Sequence, residues 1–294
     1  MTARVTLLNP PPMKHVDLDG GLVIFVPPRF IGNGSPMTSL ASRLAAARLD
    51  GGTVILSDDE APRDAGQAYA LQAEVFGYLG GASDAWKVGS TSPESQAKLG
   101  TTEPGAARVP AQFRFHSGEA VPVYAGHDLW IEGEFALRLG RDVPPRETPY
   151  THGELTDAID GVAPSLEVVG SRLAEGIAHS GRFRVTADGG ANVTLSTGAL
   201  IADWRRFDLP NHRLQLFCNG EEVAAGPGSR ALGDPVNVMV WIANHLRGGE
   251  GLKAGEMVST GTCTGLIRVA PGDLLMADFG AIGSIEARLV AAGT

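Results

Sequence analysis

The chain has 294 residues, 43% hydrophobic and 19% charged, which is enough for a sizeable buried core in one large domain or two small ones. Lys and Arg number 24 against 33 Asp and Glu, so the net charge is -9 and no basic surplus exists to neutralise phosphates; nucleic acid is excluded as the expected partner. The two cysteines, Cys218 and Cys263, lack the close spacing of a zinc site and are too few for a disulfide framework, so buried thiols in a reducing cytoplasm are expected.

Residues 1–36 are rich in Pro and Gly, with one strand-like run at residues 22–26, and read as an N-terminal extension. The apolar run at residues 21–26 is too short to span a bilayer or to form the core of a signal peptide, so a cytoplasmic protein with no membrane partner is expected. The character changes at Met37, an alternative start of translation, and Leu40, Leu44, Ala47 and Arg48 begin a helical rhythm. A second helix is predicted from about Asp64 to Leu79, where Ala68, Tyr69, Gln72, Val75, Phe76 and Leu79 recur near a period of 3.6 and Gly80-Gly81 stops the run. These stretches make 37–115 an N-terminal α/β region, and 116–294 a second domain of short alternating runs.

Within that second region Asn219-Gly220 predicts a type I′ hairpin over residues 214–225, because both positions tolerate positive φ. One helix is expected there, with Val236, Met239, Val240, Ala243 and Leu246 as its apolar stripe between Asp234-Pro235 and Gly248-Gly249. Residues 255–260, 273–279 and 284–290 read as strands.

The chemistry concentrates in two strands. Over residues 129–139, Leu129, Ile131, Phe135, Leu137 and Leu139 share one parity, while Trp130, Glu132, Glu134, Ala136 and Arg138 share the other. Two strand residues advance the chain by roughly 6.5 Å, so Glu132 and Glu134 can converge on one ion. The bland alternative is a solvated face carrying two acids. Over residues 161–169 a single acid, Glu167, stands among apolar neighbours, and a carboxylate there is costly to bury without a partner or a cation. Three carboxylates without nearby Cys or paired His favour a hard ion, Mg²⁺ or Mn²⁺, over zinc.

With these motifs in order, the chain resembles the fumarylacetoacetate hydrolase superfamily over roughly residues 38–290, in particular its branch of 2-keto-4-pentenoate (2-hydroxypentadienoate) hydratases and 4-oxalocrotonate decarboxylases. The resemblance is carried by Trp86-Lys87-Val88-Gly89-Ser90-Thr91-Ser92, Ile131-Glu132-Gly133-Glu134-Phe135-Ala136, Ser165-Leu166-Glu167-Val168-Val169-Gly170-Ser171-Arg172, Leu252-Lys253-Ala254-Gly255-Glu256 and Thr260-Gly261-Thr262. It implies an α+β fold, a mixed β-sandwich or roll of the fumarylacetoacetate hydrolase C-terminal type with a smaller helical N-terminal region. It also implies a homo-oligomer, with a related decarboxylase or hydratase subunit as an alternative partner. A divalent ion held by Glu132, Glu134 and Glu167 would polarise the carboxylate and 2-oxo group of a small 2-oxo acid.

The same resemblance gives Lys87 the role of proton shuttle, with Trp86 and Val88 expected to lower its pKa by desolvation; the bland reading is a surface lysine paired with Asp84. Ser90, Thr91 and Ser92 are candidates to hold the substrate carboxylate, against a plain turn. Arg172 is a candidate anion clamp, and Thr260 and Thr262 resemble a pocket loop. His127, His152 and His179 read as structural or exposed. Two departures stand out: Glu103-Pro104-Gly105-Ala106-Ala107 lacks a following acid, and Asp188-Gly189-Gly190 lacks an amide after the Asp. The leading expectation is hydration of a 2-hydroxy-2,4-dienoate as in an aromatic meta-cleavage pathway. The alternatives are 2-oxo acid decarboxylation, acylpyruvate C–C hydrolysis, and a catalytically silent partner subunit.

Overall fold

A computed structural model describes residues 39–293. The expected extension over 1–36, its strand-like run and the start at Met37 lie outside the described residues.

Helix α1 (Leu40–Asp50) starts at Ser39, whose side chain accepts from the Ser42 N–H, and ends at Gly51 with φ 82°. Helix α2 (Ala65–Tyr78) is capped by Asp64. Strand β1 (Ala85–Gly89) then leads through α3 (Pro93–Leu99) to β2 (Gly105–Arg108), β3 (Arg114–His116) and β4 (Ala120–Val123). The long strands β5 (Trp130–Leu139) and β6 (Ile159–Val169) flank α4 (His152–Ala158), and α5 (Ile177–Ala187) leads to β7 (Asn192–Thr197). The hairpin β8 (Arg213–Cys218) to β9 (Glu221–Pro227) follows, then α6 (Pro235–Leu246), β10 (Met257–Ser259), β11 (Ile267–Arg268), β12 (Leu274–Asp278) and β13 (Ser284–Ala291).

The strands form two sheets. One runs β2-β1-β10-β5-β6-β7-β3, with β11 also paired to β5, and the other runs β4-β13-β12-β8-β9. Both mix parallel and antiparallel pairs. Apolar parity on β5 and β6 explains their stacking: Ile131, Phe135, Leu137, Leu166 and Val168 join Leu214, Leu216, Leu275 and Phe279 in one buried cluster. Gly133 sits in the same row, where a Cβ would come within 2.8 Å of Leu214 Cδ1, so the close approach of the layers requires glycine. The opposite face of β5 and β6 is left for the carboxylates.

The predicted hairpin forms, with φ of 53° at Asn219 and 87° at Gly220. Helix α6 has Asp234 as its cap and Pro235 in its first turn. Two further helices, α4 and α5, occupy the half in which one was expected. The first is only seven residues long and is set by a capping box, Thr151 with Glu154, rather than by an apolar stripe. The second is broken by Gly181 at φ 69°, which interrupts any 3.6-residue rhythm. The described residues 39–292 belong to one compact unit: β1 and β2 join the sheet of β5, and β3 crosses the boundary expected at 115/116. Cys263 is buried and Cys218 half-buried, both as free thiols. Among the described residues no helix is long and apolar enough to cross a membrane.

Candidate metal centre

Strands β5 and β6 pair antiparallel with Glu132 opposite Glu167 and Glu134 opposite Ser165. Opposed residues in such a pair share a face, so register adds Glu167 to the two acids that parity had already aligned. One carboxylate oxygen from each glutamate lies within 4.8 Å of the others. Glu134 and Glu167 are fully buried and Glu132 is half-buried.

The two buried carboxylates are each satisfied on one side only. Glu134 Oε2 accepts from Ser259 Oγ at 2.5 Å and from the Gly261 N–H at 3.0 Å, whereas Oε1 has no partner. Glu167 Oε1 accepts from Asn192 Nδ2 at 2.8 Å and lies 3.3 Å from Lys87 Nζ, whereas Oε2 has no partner. Burial and then the Glu167 charge push the Glu132 carboxyl up to about 7, with the neighbouring Thr262 hydroxyl opposing the rise. Burial and the charges of Glu167 and Glu132 hold Glu134 well above the usual carboxylate range. Carboxylate oxygens deprived of water and of donors call for a cation, and an oxygen-only set suits a hard divalent ion that keeps other positions for water and substrate.

Lys87 lies on the same face. It is the cross-strand partner of Ser259, which in turn opposes Ala136 on β5. Its ammonium is buried and donates to Gly190 O at 2.8 Å, and Asp84 is paired instead with Arg114 at 2.9 Å. The expected lowering of its pKa is corrected by the structure. Burial does pull it down, but attraction from Glu167, Glu132 and Glu134 outweighs burial and the net direction is upward. Trp86 and Val88 contribute little to this site because strand alternation turns them to the other face of β1.

The remaining predicted residues separate. Thr262 stands beside Glu132, and its Oγ1 also accepts from the Gly265 N–H at 2.7 Å, closing its loop. Thr260 donates to Phe135 O at 2.9 Å and so ties the loop to β5. Thr91 packs on Gly261, whose missing Cβ would lie 2.0 Å from Thr91 Oγ1. Ser92 caps α3 through a reciprocal bond with Ser95, and Ser90 sits at φ 55° with its carbonyl accepting from Gln96. Arg172 is fully buried, and its guanidinium donates to Asp188 Oδ1 at 2.8 Å and to Asn192 O at 2.8 Å, so its donors face inward.

Three contributors were not among the sequence candidates: Ser259, Asn192 and Arg48. The amide that Gly189-Gly190 lack is present from Asn192, because a bulge in the β6–β7 pairing sets Asn192 opposite Val169 and therefore on the Glu167 face. Where an acid after Pro104 is missing, Ala107 is the cross-strand partner of Lys87, and Glu103 is exposed and paired with Arg182.

The fumarylacetoacetate hydrolase C-terminal family model matches residues 96–290. A 2-keto-4-pentenoate hydratase of Paraburkholderia xenovorans (strain LB400) is 33% identical over 68% of this chain and 73% of its own length. A 4-oxalocrotonate decarboxylase of Pseudomonas putida is 31% identical over 69% of this chain and 76% of its own. The solved structure of 4-oxalocrotonate decarboxylase from Pseudomonas putida G7, complexed with magnesium and adipate, superimposes with a TM-score of 0.77 at 27% identity, covering 85% of this chain and 95% of that one. The fold, the paired sheets and the matched segment together show that this chain belongs to the fumarylacetoacetate hydrolase family.

Proposed function

We propose that the protein is a divalent-metal-dependent hydratase that adds water to a 2-hydroxy-2,4-dienoate of the 2-keto-4-pentenoate type, giving a 4-hydroxy-2-oxo acid in aromatic catabolism. The observation that carries this reading is the pair of partnerless oxygens, Glu134 Oε1 and Glu167 Oε2, in a three-carboxylate cluster beside a buried lysine. A divalent ion, Mg²⁺ or Mn²⁺, held by Glu132, Glu134 and Glu167 supplies Lewis acidity toward the substrate's carboxylate and 2-oxo oxygens, where negative charge develops.

Lys87 Nζ is the proton carrier. Gly190 O and Glu167 Oε1 hold it in place; from there it delivers a proton to the terminal carbon and recovers the 2-hydroxyl proton as the dienol becomes a conjugated ketone, then takes a proton from the water that adds to the distal alkene carbon and gives one to the carbon beside the ketone. Once the carboxylates are neutralised, the attraction that keeps Nζ protonated weakens and its burial favours the neutral amine. Ser259 Oγ and the Gly261 N–H hold Glu134 by its Oε2. Thr91 packs on Gly261, and Thr262 closes the same loop through the Gly265 N–H.

Arg48, Lys87 and Arg172 are the buried cations among the described residues. Arg172 is committed to Asp188, and Arg48 to Asn192 and Val193, which favours a substrate with one carboxylate over a 2-oxo-dicarboxylate. Decarboxylation is the second reading, supported by the superposition on a decarboxylase. We carry the cytoplasmic location and the homo-oligomer as parts of the proposal.

The test incubates metal-loaded and EDTA-treated protein with 2-hydroxypenta-2,4-dienoate and with 4-oxalocrotonate, identifying products by NMR. Hydration of the dienoate that stops with EDTA and returns with Mg²⁺ is expected. Release of CO₂ from the dicarboxylate without hydration selects the second reading, and EDTA-insensitive turnover rejects both.

A further inference from the structure

The segment 188–193, running from the end of α5 into the start of β7, lies against the carboxylate cluster and is tied down by three buried cations. Lys87 Nζ donates to Gly190 O, Arg172 donates to Asp188 and to Asn192 O, and Arg48 reaches it from α1. Arg48 Nη2 donates to Asn192 Oδ1 at 2.7 Å and to Val193 O at 3.1 Å. Arg48 is 5% exposed and its guanidinium stacks over Phe113 at 4.3 Å, and Asn192 is fully buried.

An asparagine amide has a donor end and an acceptor end, whereas a carboxylate only accepts and a guanidinium only donates. Asn192 therefore supports Glu167 in one orientation alone, with Nδ2 toward Glu167 Oε1; flipped, it would set oxygen against oxygen. Arg48 contacts the other end and tolerates only the oxygen there. Arg172 holds the backbone carbonyl of the same residue and leaves the side-chain orientation free. Keeping a second guanidinium here opposes its own charge: burial and the nearby Arg172 hold Arg48 well below the usual arginine range, and its Nε finds no partner. A residue needed only to fill space would not carry that cost.

We propose that Arg48 is a positioning residue that fixes the Asn192 amide with nitrogen toward Glu167, so that Glu167 Oε1 is held and Oε2 is presented to the divalent ion. The inference rests on the reading of Glu132, Glu134 and Glu167 as the metal site. It makes α1, remote in sequence from the strands that carry the glutamates, part of the ion's support.

The test is Mn²⁺ titration by calorimetry and electron paramagnetic resonance on metal-freed wild type, Arg48→Met, Arg48→Lys, Asn192→Ala and Arg48→Met/Asn192→Ala, each checked for fold by circular dichroism. Arg48→Met should weaken Mn²⁺ binding about tenfold to a hundredfold, the usual effect of losing an outer partner of a metal ligand. Arg48→Lys, which also only donates, should recover most of the loss. The double variant should bind no worse than Asn192→Ala, since Arg48 acts through that amide. Binding by Arg48→Met within about twofold of wild type, or losses that multiply in the double variant, overturns the inference while leaving the metal site intact. Absence of Mn²⁺ binding by the wild type overturns the metal-site reading and this inference with it. Should Arg48→Met fail to fold, Arg48→Gln replaces it, because its side chain can face either end of the amide. Arg48→Gln should weaken binding severalfold in the parent and not in the Asn192→Ala background, and equal weakening in both overturns the proposal.

Discussion

Replacing Glu134 with Gln removes the carboxyl whose ionisation burial and the charges of Glu167 and Glu132 oppose, while keeping the shape of the side chain. The Gln oxygen can still accept from Ser259 Oγ and the Gly261 N–H, and its amide nitrogen then takes the position of the partnerless Oε1, facing two carboxylates. The ligand oxygens lie within 4.8 Å of one another, and at an effective dielectric of about 20 two unit charges roughly 5 Å apart repel by about 3 kcal/mol. Glu134 is itself held well above the usual carboxylate range and Glu132 rises to about 7, so protonation of the cluster reduces the relief; a net gain of about 1–3 kcal/mol is expected for the metal-free protein above pH 8. Thermal unfolding in EDTA should therefore shift upward by a few degrees in Glu134→Gln. In Mg²⁺ at one hundred times its dissociation constant wild type gains about 2.7 kcal/mol and the variant little, so the difference seen in EDTA is cancelled or reversed. Most buried polar substitutions destabilise, so the sign is diagnostic. If Glu134→Gln melts lower than wild type in EDTA, or is stabilised by Mg²⁺ as strongly as wild type, the picture of an uncompensated anionic cluster is wrong.

Lys87→Ala should retain Mn²⁺ affinity within a few fold and lose about 10²- to 10⁴-fold in kcat, read by parallel titration and steady-state assays on the dienoate; full activity would remove Lys87 from the proton path. His127 is 1% exposed, its Nε2 lies 3.1 Å from both Ala47 O and Gly52 O, and burial followed by the Arg172 charge lowers its pKa to about 4. The unfolded chain binds that proton near 6.5 and the folded chain resists it down to about 4, so stability falls as pH drops through this window, by up to about 3 kcal/mol. His127→Gln should lack this slope, so its stability relative to wild type should improve between pH 7 and pH 4.5 in urea titrations of metal-free protein; an unchanged difference refutes the assignment. Gly261 has φ 87° and a Cβ there would meet Thr91 Oγ1 at 2.0 Å, so Gly261→Ala should cost on the order of 2–4 kcal/mol and weaken metal binding as its N–H shifts from Glu134. Wild-type stability in that variant would show that the loop is free to adapt.

Strand alternation made the centre legible before any coordinates. Glu132 and Glu134 share a parity on β5, and the isolation of Glu167 among apolar residues signalled a carboxylate with an unseen partner. The supporting shell was not legible, for reasons of distance and register. Ser259 and Lys87 meet the cluster only because β10 is inserted between β1 and β5, and Asn192 reaches Glu167 only through a bulge that periodicity does not reveal. Arg48 read as one more residue on the rhythm of α1. The upward shift of the Lys87 pKa was not legible, because the three glutamates that outweigh its burial come from other strands. The signal for α4 in the sequence is the Thr151–Glu154 capping box rather than an apolar stripe.

The central claim is that Glu132, Glu134 and Glu167 hold the divalent ion on which turnover depends. An anomalous difference map from crystals grown with Mn²⁺ tests it most directly. The account predicts one strong peak per chain within coordination distance of all three carboxylates, lost in Glu167→Gln. A peak elsewhere, or none in crystals of protein that remains active in EDTA, would contradict it.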